Sequence, residues 1–404
     1  MRLVHTADWH LGLDFYEFAR LPEQVVFLAW LADTLCRLEA DVLLVAGDVF
    51  NTISPSIAAQ RAYFDFLTEV TRRLPHLQIV ITAGNHDSGS RLEAPSALLA
   101  NLNIHIKGSV LHNPEDYSIN YEQFAIPLHD KKGIEYLCLA VPFLRTSDCP
   151  PKQDETEDYV EAFYRELANH FAHDKRPKIC MGHLYAHGST LNEEKDIEYV
   201  AIGGLEGSSL AQHFISYSYV ALGHIHRQQR VYDAENIRYS GAPIATTFSH
   251  REQAQGILVV DIEGQKINVT HEVFDSPLKL LKLTGTPVSI LEQLRALSEG
   301  TVDDFAPILD LEITDTTPPP ALFKQEVEEA LKGRYARRGL STFKQTKLIA
   351  SSEEREPILS TLDHRYEPEE IAEREYQKRY GMSFPDDLRR LLREAIQEAQ
   401  QCES

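Results

Sequence analysis

Aspartate, asparagine and histidine recur beside glycine at five places in this chain. The places are Asp8-Trp9-His10, Gly47-Asp48, Gly84-Asn85-His86-Asp87, Gly182-His183 and Gly223-His224-Ile225-His226. These side chains are oxygen and nitrogen donors of the kind that Mn2+, Fe2+ and Zn2+ accept. No cysteine joins them, which argues against a structural zinc site. Glycine lets the backbone turn sharply and come close to an ion or a substrate. Seven donors, Asp8, His10, Asp48, Asn85, His183, His224 and His226, suit two ions about 3.5 Å apart that share one carboxylate. One strand-end histidine is more often structural than a ligand, but five such clusters weigh against chance. His5, His105, His129 and His187 lie outside the clusters and are expected to be structural.

Elements that could position the donors are legible around them. Residues 1–7 read as a strand that breaks at Asp8. Residues 22–39 carry a helical apolar stripe, with Pro22 suited to the first turn. Residues 41–46 are an apolar run of strand length ending in Gly47-Asp48. Ile57–Arg73 reads as an amphipathic helix, and 78–83 as a strand ending in Gly84. Strands alternating with helices, with polar residues at the strand ends, describe an α/β layered fold with its site at the carboxyl ends of the strands. Beyond residue 90 the pattern is richer in strands, at 136–141, 177–181, 216–221, 237–239, 256–262 and 266–272, with a helix at 162–171. If the chain stays extended past the strand at 216–221, His224 and His226 present their imidazoles to one place, because alternate residues point the same way.

The character changes near Ser276-Pro277. Strands at 278–283, 307–314 and 341–348 alternate with helices at 288–297 and 321–331, a small βαβαβ unit. Near the end, two helical patterns, 368–380 and 385–400, form a hairpin with Leu388, Leu391, Leu392 and Ile396 on a narrow stripe. The expected domains are therefore 1–275, 276–350 and 351–404. Residues 330–349 hold six basic side chains and no acidic one, which is either a solvated face or a surface for a phosphate backbone.

Composition narrows the class. The chain has 404 residues, 43% hydrophobic, with five scattered cysteines and no CxxC, which fits a globular protein of a reducing compartment. No signal peptide or membrane-length run is legible, so a cytoplasmic location is expected. The formal net charge of −21 argues against a stand-alone protein that grips DNA tightly by phosphate contacts. It leaves room for a phosphoester enzyme whose positive charge comes from bound ions or from a partner.

The five clusters read DxH, GD, GNHD, GH and GHxH, and in this they resemble the calcineurin-like metallophosphoesterase superfamily. More narrowly, the chain resembles the bacterial SbcD nuclease subunits. That likeness rests on His5-Thr6-Ala7-Asp8-Trp9-His10-Leu11-Gly12, Val141-Pro142-Phe143-Leu144-Arg145, Gly223-His224-Ile225-His226-Arg227 and Tyr239-Ser240-Gly241-Ala242-Pro243-Ile244. It covers the first 275 residues by motif and the remainder by arrangement. The resemblance implies a metallophosphoesterase β-sandwich flanked by helices, with a small cap domain and a C-terminal helical hairpin. It implies two Mn2+ ions, one held by Asp8, His10, Asp48 and His226, the other by Asp48, Asn85, His183 and His224. His86 would be the catalytic histidine, with Asp87 orienting its ring.

The implied activity is a single-strand DNA endonuclease. With an SbcC-like coiled-coil ATPase partner it becomes an ATP-dependent double-strand exonuclease that opens hairpins, acting in DNA repair, recombination and replication. The chain has no GxxxxGK[ST], so ATP dependence is expected from that partner, docked on the terminal hairpin. The family also forms homodimers, within a heterotetramer, through helices near the site; Ile57–Arg73 and residues 91–102 are the candidates. Some relatives carry a histidine shortly after the GD aspartate, assigned to exonuclease action, where this chain has Asn51. Two other readings stay open: a phosphoesterase of the same fold acting on another phosphoester, and a scaffold with a dead site.

Overall fold

The computed structural model describes residues 1–152, 158–186, 188–189, 214, 216–315, 319, 322–345, 385 and 388–390. The first strand, β1 (Arg2–Thr6), runs into Asp8. A two-residue hairpin, β2 (Asp14–Phe15) and β3 (Phe18–Ala19), leads to helix α1 (Leu21–Leu38). Proline stands in the first turn of α1, and Glu39 closes it in the left-handed region at φ 48°. Strand β4 (Val42–Ala46) follows, then α2 (Ile57–Arg73), whose Ser56 hydroxyl accepts the Ala59 N–H as an N-cap. Next come β5 (Gln78–Thr82), the short helices α3 (Gly89–Glu93) and α4 (Ser96–Leu99), and strands β6 (Ile104–Lys107), β7 (Ala125–His129) and β8 (Glu135–Ala140). Helix α5 (Tyr159–His170) precedes β9 (Lys178–His183). Strands β10 (Tyr219–Gly223), β11 (Gln229–Arg230), β12 (Ile237–Tyr239), β13 (Gly256–Glu263) and β14 (Lys266–Val273) complete this part.

These strands form two six-stranded sheets, in the orders β14-β13-β1-β4-β5-β6 and β11-β12-β10-β9-β8-β7. Strands β1, β4, β5 and β6 are parallel, as are β8, β9, β10 and β12. Leu3, Val42, Leu44 and Val80 of one sheet meet Cys138, Ile179, Met181 and Ala221 of the other, all fully buried. The opposite faces are covered too. Val4, Leu43, Val45 and Ile81 pack under α1 and α2, while Leu139, Cys180 and Val220 pack under α5. The result is a β-sandwich flanked by helices. It explains why β4 reads as an unbroken apolar run: a strand buried on both faces has no polar side to alternate with.

The small βαβαβ unit is also present. Strands β15 (Leu280–Gly285), β16 (Ile308–Asp315) and β17 (Arg337–Gln345) form a parallel sheet, joined through α6 (Pro287–Arg295) and α7 (Phe323–Leu331). The chain divides into two compact units, Met1–Thr346 and Lys347–Ser404, so this sheet and the sandwich share the first. Most of the expected terminal hairpin lies outside the described residues, as do Cys402 and His187. Among the described residues, Cys36, Cys138, Cys149 and Cys180 are free thiols, and no helix is long and apolar enough to cross a membrane.

Besides the two-residue strands β2, β3 and β11, two longer strands, β6 and β7, were not expected from the sequence. β7 contains Pro127, which lacks a backbone donor, but it lies at a sheet edge where that loss is tolerated. β6 is only four residues long. The strand expected at 216–221 begins instead at Tyr219 and extends to Gly223.

His5 proves to be a core residue, as expected. It is fully buried, its Nδ1 lies 2.9 Å from the Tyr219 hydroxyl, and the rings meet edge to face. Burial lowers its pKa to about 3 from an ordinary 6.5. A histidine held neutral in the fold but free to charge when unfolded contributes stability above pH 6.5, and that stability is lost as pH falls through the window toward 3. At pH 5 the loss amounts to about 2 kcal/mol. With divalent ions chelated, urea denaturation of the wild type should therefore show a larger fall in stability between pH 7 and pH 5 than His5→Gln, by about that amount. Equal falls would refute it.

Candidate metal centre

The five polar clusters end β1, β4, β5, β9 and β10, and the parallel strands carry them to one end of the sandwich. Backbone hydrogen bonds stitch the loops together. Asp8 N–H donates to the Gly47 carbonyl and His10 N–H to that of Asp48, each at 3.0 Å. His224 N–H donates to the Asp8 carboxylate and His86 N–H to Asp48 Oδ1, at 3.0 and 2.8 Å. Two glycines permit this closeness. A Cβ on Gly84 would lie 2.1 Å from Asp48 Oδ1, and one on Gly223 would lie 1.9 Å from the Ala46 carbonyl oxygen.

All seven expected donors converge, in two groups joined at Asp48. On one side, His10 Nε2 and His226 Nε2 lie 3.0 Å apart, and ligand atoms of Asp8, His10 and His226 all fall within 4.8 Å of one another. On the other, Asn85 Oδ1 lies 3.0 Å from His183 Nε2 and 3.1 Å from His224 Nδ1. Asp48 Oδ2 sits 3.5 Å from both His10 Nε2 and His183 Nε2. His183 Nδ1 donates to the Ala46 carbonyl at 2.8 Å, which turns Nε2 inward.

Asp8, His10, Asp48 and His224 all have positive φ, at 55°, 45°, 50° and 96°. Such backbone costs of order 1–3 kcal/mol at a residue other than glycine and concentrates at functional sites. It also corrects the expected route of the last cluster. The chain is not extended through His224 and His226; the left-handed turn at His224 sends the two rings to different neighbours, Asn85 and His10.

The electrostatics suit cations. Burial, together with the charge of Asp48 and against the pull of His183, raises Asp8 to about 7. Burial opposes ionisation of Asp48 as well, but His183 and its other histidine neighbours outweigh it and hold the carboxylate below its ordinary range. Burial lowers His10 to about 4 and His224 to about 3, and it lowers His226 strongly. His183 goes the other way, to about 9, because Asp48 overcomes the cost of its burial. The neutral imidazoles of His10, His224 and His226, crowded with His183 against buried carboxylates, fit a binuclear metal site.

The two expected catalytic residues are placed differently from each other. His86 Nδ1 donates to the Asn51 carbonyl at 3.0 Å, its ring meets His10 edge to face at 4.8 Å, and its Nε2 is buried with no partner among the described residues. His86 also falls within a group of potential ligands with His10 and Asp48. Asp87 does not orient the His86 ring. Its carboxylate accepts the N–H groups of Val49, Phe50 and Gly84, at 3.1, 2.9 and 2.9 Å, and so ties the Asp48 turn to the Gly84 turn. Burial raises its pKa to about 7, with Asp48 adding to the rise and those three N–H groups opposing it. The side-chain order Asn-His-Asp suggests a dyad, but only the fold shows that the Asn51 carbonyl reaches His86 first. Thr246, whose Oγ1 lies 2.8 Å from His226 Nδ1, was missed because no motif marks it.

The basic stretch is largely neutralised. Lys332, Arg334, Arg338 and Lys344 lie 3.8, 3.4, 2.8 and 2.6 Å from Glu329, Glu299, Glu328 and Glu312. Arg337 donates to the carbonyls of Asp304 and Ala306. This favours the solvated face; Lys347 lies outside the described residues.

A model of the calcineurin-like phosphoesterase family matches residues 1–228. The SbcD component of the SbcCD nuclease from Rhodobacter capsulatus is 36% identical over 307 residues, 73% of this chain and 75% of that protein. Its namesakes from Escherichia coli and Bacillus subtilis are 32% and 30% identical, each over 78% of this chain and 78% and 79% of their own lengths. The chain belongs to the calcineurin-like phosphoesterase family, and within it to the SbcD nuclease subunits.

Proposed function

We propose that this chain is a two-metal DNA nuclease subunit, and that Asp8, His10, Asp48, Asn85, His183, His224 and His226 hold its two ions, with Mn2+ as the native metal. The observation that carries the reading is the meeting of two donor groups at one buried carboxylate, Asp48, with the unpartnered Nε2 of His86 beside it. DNA as substrate follows from likeness to proteins named as nucleases. When bound, the ions supply Lewis acidity: they neutralise phosphate charge and lower the pKa of water.

The chain's own residues do the rest. Asp48 gives both groups one shared anion. His86, anchored at Nδ1 by the Asn51 carbonyl, offers Nε2 to the scissile ester, where, as the doubly protonated ring, it stabilises charge or gives its Nε2 proton to the leaving oxygen and is left neutral. Asp87 acts as a positioning residue, holding the turns that carry Asp48 and His86. We assign the ATP-dependent steps to an SbcC-like ATPase partner in the cytoplasm. We also propose a homodimer through α2 and residues 91–102. Ile57 of α2 and Leu98 are 79% and 77% exposed, apolar side chains suited to burial against a second copy.

The test is cleavage of labelled single-stranded and hairpin DNA by the purified full chain, with Mn2+ and with chelator. Metal-dependent cutting is expected. Hydrolysis of a small phosphodiester without any cutting of DNA would move the assignment to another phosphoester; inertness toward both would leave a scaffold.

A further inference from the structure

The segment 244–250 touches both the metal centre and the small parallel sheet, although no motif marks residues 245–250. Ile244 is buried in the core beneath α1 and α2. The Ala245 carbonyl accepts from Arg20, itself 1% exposed and paired with Glu23 at 2.6 Å. Thr246 Oγ1 lies 2.8 Å from His226 Nδ1 and 3.3 Å from the buried His250 Nδ1. Two residues on, Phe248 packs with Leu280 of β15, Ile308 of β16 and Phe15. Gly339 of β17 leaves it room, since a Cβ there would lie 3.3 Å from the Phe248 ring.

We propose that Thr246 is a positioning residue for His226, and that segment 244–250 couples the Asp8–His10–His226 half of the site to the seating of the three-stranded sheet. Because His226 Nε2 faces His10, its inward nitrogen needs the lone pair, and the proton belongs on Nδ1. The Thr246 hydroxyl accepts that proton and can donate onward to His250. Fixing the outer nitrogen of a ligating histidine sets both its tautomer and the angle of its ring. A shift of the sheet moves Phe248, and through it Thr246, without touching any donor of the Asn85–His183–His224 half.

The inference rests on the two-metal reading. Its test is Mn2+ binding to the full chain by equilibrium dialysis, which needs no substrate. Wild type should take up two ions. Thr246→Val should weaken one of them about 10- to 100-fold and leave the other unchanged. Thr246→Ser should restore it, and Phe248→Ala should weaken the same ion. An unchanged isotherm for Thr246→Val, or an equal loss of both ions, overturns the positioning role; an unchanged isotherm for Phe248→Ala overturns the coupling to the sheet. A wild type that binds no divalent ion fails before any substitution, and so refutes the metal reading itself.

Discussion

Asp48→Ala should bind neither ion at concentrations that saturate the wild type, and its DNA cleavage should fall to the level seen with chelator. Asp48 is the group that the two halves of the site have in common, 3.5 Å from a ring nitrogen of each. Its removal takes a negative charge from a pocket in which burial opposes ionisation of the neighbouring ligand carboxylate, Asp8. It also deprives His86 N–H of its acceptor, so the catalytic loop loses an anchor as well. The readout separates these losses from unfolding. Ions that bind only the native state raise its stability by RT ln(1 + [L]/Kd), about 2.7 kcal/mol per ion at a hundredfold excess over Kd. Thermal melting of the wild type should therefore rise steeply with Mn2+, while Asp48→Ala should melt cooperatively at a temperature indifferent to it. A variant that still melts later with Mn2+ and still cuts DNA would show that Asp48 is not the shared ligand.

Much of this site was legible because its donors follow strands, and strands announce themselves by composition. An unbroken apolar run such as Val42–Ala46, fully buried in the structure, leaves few alternatives for what precedes Gly47-Asp48. Ile57–Arg73 is bounded as expected because its start carries a capping serine, a local signal. What stayed hidden was set by contacts between distant segments. The backbone sign at His224 comes from the fit of Gly223 against the Ala46 carbonyl and of His224 N–H against Asp8, 216 residues away. Asp87 lies beside His86 in sequence, yet three backbone amides claim its carboxylate. The basic run 330–349 looked anomalous only in one dimension. In three dimensions glutamates from α7, β16 and residue 299 stand against it. Local pattern thus identifies which residues meet, and tertiary contact decides which atom of each faces which partner.

That division matters most for His86, where the atom determines the chemistry. A carbonyl can only accept, so the bond to Asn51 keeps a proton on Nδ1 and makes Nε2 the working end, which donates only in the imidazolium form, when a second proton sits on Nε2. Nε2 is buried and unpartnered among the described residues, a costly state for a polar atom unless a ligand completes it. His86→Gln retains an amide that can donate a hydrogen bond but cannot deliver a proton. It should therefore keep both Mn2+ ions in equilibrium dialysis and still lose about 10²- to 10⁴-fold in DNA cleavage, the usual worth of a general acid. The leaving group then distinguishes the two roles open to this ring. DNA expels an alkoxide, which needs a proton; bis-p-nitrophenyl phosphate expels a stabilised phenolate, which does not. If His86 is the acid, the variant loses far more against DNA than against the aryl ester. If it acts only by stabilising charge on the phosphoryl oxygens, both substrates slow alike. Wild-type rates on both, with both ions bound, would remove His86 from the mechanism.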